Sequence, residues 1–169
     1  MPERSESTDV PVSDDVIGEI YASIRRAVVV GASPTSGKAS NYVSAYLQEQ
    51  GVEIVPVNPN ATEVLGVPAI PSLAQVEGPI DAVVVFRPAA EALEITREAI
   101  ALGAGAVWLQ EGVVSAEAAA TARDAGLRFV MDRCIGMTHG ALGLGPGPDP
   151  EAAACAVPAA VDGSRRPAR

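Results

Sequence analysis

The sequence predicts a doubly wound α/β domain, a five-stranded parallel sheet with flanking helices. Three observations carry that prediction. Five short runs rich in Val and Ala recur along the chain, apolar on both faces, as strands buried on both sides of a parallel sheet must be. Between them lie stretches with apolar residues at helical spacing. Three of those stretches close on a glycine, Gly51, Gly103 or Gly126.

The elements follow in order. Residues 1–13 are polar, hold two prolines and lack periodicity, which predicts a flexible tail. Val16, Ile17, Ile20, Tyr21 and Ile24 fall at helical spacing and predict a helix over 14–25. Ala27 to Gly31 is the first strand. A helix over 40–50 follows, with Ser40 as N-cap and Val43, Tyr46 and Leu47 on its inner face. The second strand is Val52 to Val57, and Pro71 to Val76 suggests only a short helix. Asp81 to Phe86 is the third strand. The helix over 89–102 places Ala89, Leu93, Thr96 and Ile100 along one stripe. Ala104 to Leu109 is the fourth strand, 116–125 a helix capped by Ser115, and Leu127 to Met131 the fifth strand. The domain is expected to span 14–140. In 141–169, seventeen of 29 residues are Gly, Pro or Ala, which predicts a disordered tail and not a second domain.

Composition narrows the function. The 169 residues make one domain of ordinary size, with 48% hydrophobic but only 4% aromatic residues, so the core is aliphatic. No apolar run reaches the roughly 18 residues that cross a bilayer, and no secretory leader opens the chain. The expected location is cytoplasmic, with no membrane partner. The two cysteines, Cys134 and Cys155, make no disulfide framework, and no Cys or His spacing suits zinc. The net charge of -9 divides into -4 over 1–15, -5 over 16–140 and zero over 141–169. An acidic body without a basic stripe excludes non-specific binding to nucleic acid or anionic lipid. Any anionic ligand must be held by local features.

In an open parallel sheet, ligands bind beyond the carboxyl ends of the strands. Those ends read Gly31-Ala32-Ser33-Pro34, Asn58-Pro59-Asn60, Phe86-Arg87-Pro88, Gln110-Glu111-Gly112 and Asp132-Arg133-Cys134. The first is the most informative. Gly31 to Ser40 is a loop of small and hydroxyl residues that opens a helix, and it carries Lys38, the only lysine in the chain. Backbone N–H groups at such a helix start suit a phosphate. A P-loop is excluded: Gly31 stands one residue too early, Ala39 after Lys38 cannot ligate magnesium, and no acid ends the third strand. The dinucleotide fingerprint also fails, since Ser33 and Ser36 replace its second and third glycines and the second strand ends without an acid. NAD is disfavoured, and NADP stays open. What remains is a ligand that uses a phosphate loop but neither a ribose carboxylate nor a metal.

Five stretches together carry a resemblance: Val-Val-Gly-Ala-Ser-Pro (29–34), Val-Pro-Val-Asn-Pro (55–59), Val-Phe-Arg-Pro (85–88), Ala-Val-Trp-Leu-Gln-Glu-Gly-Val-Val (106–114) and Val-Met-Asp-Arg-Cys-Ile (130–135). In this order they resemble the small free-standing CoA-binding proteins of bacteria and archaea. Those are relatives of the CoA-binding domain of succinyl-CoA synthetase α subunits. The resemblance implies a Rossmann-like domain that binds coenzyme A or an acyl-CoA. By position, Gly31, Ala32, Ser33 and Pro34 would form the turn beneath the nucleotide phosphates, with Lys38 and Ser40 approaching them. Asn58 and Pro59 would line the adenine side, Phe86 and Arg87 would flank the pantetheine or diphosphate, and Leu109 with Gln110 would close the opposite wall. The synthetase's acyl-transfer domain has no counterpart here, so a binding protein without catalysis is expected.

Several other residues admit a plainer role. Cys134, with His139 five residues on, is either a reactive thiol or a small residue packed under the last turn, and the second is favoured. Asp132 and Arg133 read as a local ion pair, Trp108 as core, and Glu111 as a solvent-facing turn residue. Two rivals remain. One is an NADP-dependent or CoA-thiol-handling enzyme using Cys134. The other is an interaction protein with a vestigial pocket, whose N-terminal helix docks a protein partner or a second copy.

Overall fold

The computed structural model describes residues 11–149. Most of the tail expected over 1–13, and the C-terminal one from 150 on (Cys155 included), lie outside the described residues. In chain order the elements are α1 (Asp14–Ser23), β1 (Arg26–Val30), α2 (Ala39–Glu49), β2 (Glu53–Val57), β3 (Glu63–Val64), β4 (Val67–Pro68), a 3-10 turn (Leu73–Gln75), β5 (Ala82–Val85), α3 (Ala89–Ala101), β6 (Ala106–Leu109), α4 (Ala116–Asp124), β7 (Arg128–Val130) and α5 (Ile135–Ala141). Five strands form one parallel sheet in the order β2-β1-β5-β6-β7. The five-stranded, doubly wound α/β architecture expected from the sequence is therefore present.

Alternation along each strand divides the core in two. Val29, Val84 and Trp108 point to the face covered by α1, α2 and α5, where Ile17, Ile20, Val43, Leu47 and Ile135 pack. Val28, Val83, Val107 and Leu109 point to the other face, against Ala92, Ile95 and Ala99 of α3 and Ala118 of α4. Register keeps like with like: Val28 faces Val55 and Val83, and Trp108 faces Val84 and Val130. Pro56 sits in the edge strand β2, where a missing ladder donor is tolerated. The Asp81 carboxylate accepts from the N–H groups of Arg25 and Arg26 at 2.9 and 2.8 Å, which fixes the entry of β1.

The structure departs from expectation in several places. Leu65 and Gly66, both at positive φ, turn a small antiparallel hairpin between β3 and β4. Such a turn usually announces itself as Asn-Gly or Asp-Gly; Leu-Gly does not. The N-cap of α2 is Lys38 rather than Ser40, which lies inside the first turn. The buried stripe of α3 is Ala92, Ile95, Thr96 and Ala99, while Ala89 is exposed and Leu93 and Ile100 are only half-buried. The small Ala92 and Ala99 let the helix lie close to the sheet. Finally, packing continues past residue 140. The Gly147 N–H donates to the Tyr46 hydroxyl at 3.1 Å, and Pro148 is buried close to Gly136.

α5 joins this last segment to the body. The Gln110 side-chain carbonyl accepts from the Ile135 N–H at 2.9 Å, and the Tyr21 hydroxyl donates to the Ile135 carbonyl. Burial pushes the Tyr21 phenol far above its ordinary range, so it remains a donor. The Tyr46 hydroxyl meets His139 Nδ1 at 2.7 Å, and the Tyr21 ring stands edge-on to the imidazole, 4.9 Å away between centroids. Burial lowers the His139 pKa from its ordinary value. The unfolded chain therefore takes up this proton first as pH falls. Stability is at its full value above about pH 6.5 and declines as pH drops from there toward the folded pKa. His139 is the chain's only histidine, so no other side chain ordinarily titrates there. Urea midpoints should fall between pH 7 and 5.5 in the wild type and change less in His139→Gln. Equal slopes would assign the effect elsewhere.

Candidate functional site

The sheet order reverses at β1, whose neighbours are β2 on one side and β5 on the other. That is the switch point at which a cleft opens in this class of fold. A cleft of about 910 Å³ lies there, formed by the loops after β1, β2 and β5, residues 71–73, the start of α2 and one face of α3.

Its floor is the turn after β1. Gly31, at φ +87°, accepts a conformation that a side chain resists, and a Cβ there would stand 2.8 Å from the Phe86 carbonyl oxygen and 3.0 Å from Arg87 Cδ. Glycine thus lets the β1 and β5 loops touch. Ala32 is fully buried, and Ser33 nearly so. The Ser33 Oγ accepts from the Thr35 N–H at 3.1 Å, and its carbonyl accepts from Asn41 Nδ2 at 2.9 Å. Asn58 stitches the neighbouring loop to this turn, donating to the Ala32 carbonyl at 2.8 Å and accepting from the Asn60 N–H at 2.7 Å.

The wall on the α2 side is receptive to an anion. Lys38 precedes the helix in extended conformation and makes no side-chain capping bond. Lys38, Ala39 and Ser40 line the cleft, so the positive end of an 11-residue helix opens on it. Lys38 takes part in no ion pair among the described residues. The opposite wall differs. Glu91, Glu94 and Glu98, at helical spacing on α3, also line the cleft. Arg87 turns toward them and holds Glu91 through Nε at 2.7 Å and Nη2 at 3.1 Å. That bond keeps the Glu91 carboxyl below the usual carboxylate range.

The structure brings Gly31, Ala32, Ser33, Lys38, Ser40, Asn58, Pro59, Phe86 and Arg87 to this one cleft. Pro34 is exposed beside it and does not line it. Leu109 and Gln110 do not line it. Leu109 is fully buried between the sheet and α3, and the Gln110 amide is committed to Ile135 and to Cys134 Sγ at 3.6 Å. Cys134 is half-buried and does not line the cleft. Asp132 and Arg133 form no pair with each other: Asp132 accepts from the Gly112 N–H at 2.8 Å, and Arg133 approaches Asp14 at 3.7 Å. Sequence reasoning missed the acidic wall, although the i, i+3, i+7 spacing of Glu91, Glu94 and Glu98 was its signal.

A doubly wound sheet with a small-residue turn and an open helix end at its switch point defines a Rossmann-like class of domain. The profile of the CoA binding domain family matches residues 25–140, and the chain belongs to that family. It is 39% identical over 123 residues to the Bacillus subtilis protein YneT, which is uncharacterized; the match covers 73% of this chain and 91% of that one. A solved structure of a hypothetical protein from Pyrococcus horikoshii is 36% identical, with a TM-score of 0.75, over 79% of this chain and 94% of that one. An ADP-forming acetate–CoA ligase of Archaeoglobus fulgidus is 28% identical over 123 residues. That match takes in 66% of this chain but only 18% of the ligase. Among the described residues, no helix is long and apolar enough to cross a membrane.

Proposed function

We propose that the protein holds coenzyme A, or an acyl-CoA, in the cleft at the β1, β2 and β5 ends, without chemistry of its own. The observation that carries this is the open N-terminal end of α2, with Lys38 unpaired beside it, above the small turn Gly31–Ser33. The residues fit a phosphate-rich ligand on this side. Gly31, Ala32 and Ser33 would underlie the phosphates, and Lys38 and Ser40 would approach them. Asn58 and Pro59 would border the adenine, and Phe86 and Arg87 would flank the diphosphate or pantetheine. CoA carries about four negative charges, and each helix-end or basic contact is worth roughly 0.3–2 kcal/mol. The acidic wall opposes them, so affinity is modest and weakens with salt. The protein would work in the cytoplasm.

Cys134, on which the enzyme reading turns, is not among the residues that line the cleft. Calorimetry with CoA, dephospho-CoA, NADPH and ATP tests the proposal. CoA should bind most tightly, with dephospho-CoA next. Tighter binding of NADPH, or no heat with CoA, would refute it.

A further inference from the structure

We propose that Glu91 competes with the bound anion for Arg87, so that the Arg87–Glu91 pair acts as an internal brake on ligand binding. The inference rests on the CoA reading and deepens it. Arg87 follows β5 at the cleft mouth, and its stem lies across the first turn, with Cδ 3.0 Å from where a Gly31 Cβ would stand. The guanidinium is thus within the reach of an anion above Gly31–Ser33. It is instead turned to Glu91, in the first turn of α3, in a two-point contact at 2.7 and 3.1 Å. Both side chains are about half exposed, 47% and 46%, so the pair can open to solvent and ligand.

A phosphate and a carboxylate offer the guanidinium the same kind of two-point contact. Recruiting Arg87 therefore exchanges one anionic partner for another, and it releases Glu91 as a bare negative charge in the cleft. Glu94 lies on the same wall but contacts Arg97 at 3.8 Å and not Arg87. It serves as a control that removes charge without freeing Arg87.

The test is CoA titration of the wild type, Glu91→Gln, Glu94→Gln, Arg87→Gln and the Arg87→Gln/Glu91→Gln double variant. Glu91→Gln should tighten CoA binding about three- to fivefold, the scale of one exposed ion pair. Glu94→Gln should tighten it less than about twofold. In the Arg87→Gln background the gain from Glu91→Gln should vanish. Equal gains from Glu91→Gln and Glu94→Gln, or a gain that survives without Arg87, would overturn the brake and leave only the summed charge of the wall. Wild-type binding with no gain in Glu91→Gln overturns the brake alone. No binding in either protein overturns the CoA reading and the brake together.

Discussion

Ser33→Tyr abolishes CoA binding and leaves the protein folded. Ser33 is itself nearly buried and the Ala32 before it fully so, so a phenol ring finds no room inward and must project over the turn. There it occupies the space above the first turn of α2 that the phosphates would take. Affinity should fall about 100-fold or more, equivalent to roughly 3 kcal/mol. The stability cost is small. The substitution removes the Oγ that accepts from the Thr35 N–H, in a turn whose next residues are exposed, and costs about 1 kcal/mol. Calorimetry and urea unfolding on the same preparation check both halves. Unchanged CoA affinity in a folded variant would remove the phosphates from this turn.

Trp108→Ala does the reverse. Trp108 is fully buried on β6, its ring centroid is 5.4 Å from that of Tyr21, and its Nε1 donates to the Arg133 carbonyl at 2.7 Å. Truncation leaves a large void and an orphaned carbonyl, and should cost about 3–5 kcal/mol. Trp108→Phe restores much of the volume and should cost less. The variants lack the chain's only tryptophan, so unfolding must be followed by circular dichroism. Since Trp108 does not line the cleft, the folded fraction should keep its CoA affinity. A loss below about 1 kcal/mol would contradict the packing described for this face.

These two substitutions mark what was legible in the sequence. The strands could be read because both faces are buried, and Val-rich runs state that directly: Val28 and Val29 point to opposite cores. The helix caps Ser13 and Ser115 act locally, through bonds to Val16 and Ala118, and only the second was anticipated. α5 was missed because Gly136 and Gly140 are poor helix formers. Its support comes from Gln110 and Tyr21, far away in sequence. The same kind of distant contact engages Gln110, which bonds Ile135 and does not line the cleft. At the sequence level every strand end is a candidate for the cleft, but the cleft forms only where the sheet order reverses, beside β1. The end of β6 lies beyond that point, and its glutamine serves α5. The acidic wall depended on which way α3 turns, and Leu93 and Ile100 suggested a different face from the one that Ala92 and Ala99 allow.

The most direct test of the account is a crystal structure with CoA bound. The predicted result is density for the adenylate phosphates above Gly31–Ser33, against Lys38 and the start of α2, with the adenine toward Asn58 and Pro59. Density in the smaller groove beside β7, lined by Val114, Phe129 and Arg133, would contradict it, and so would a cleft that stays empty at saturating CoA.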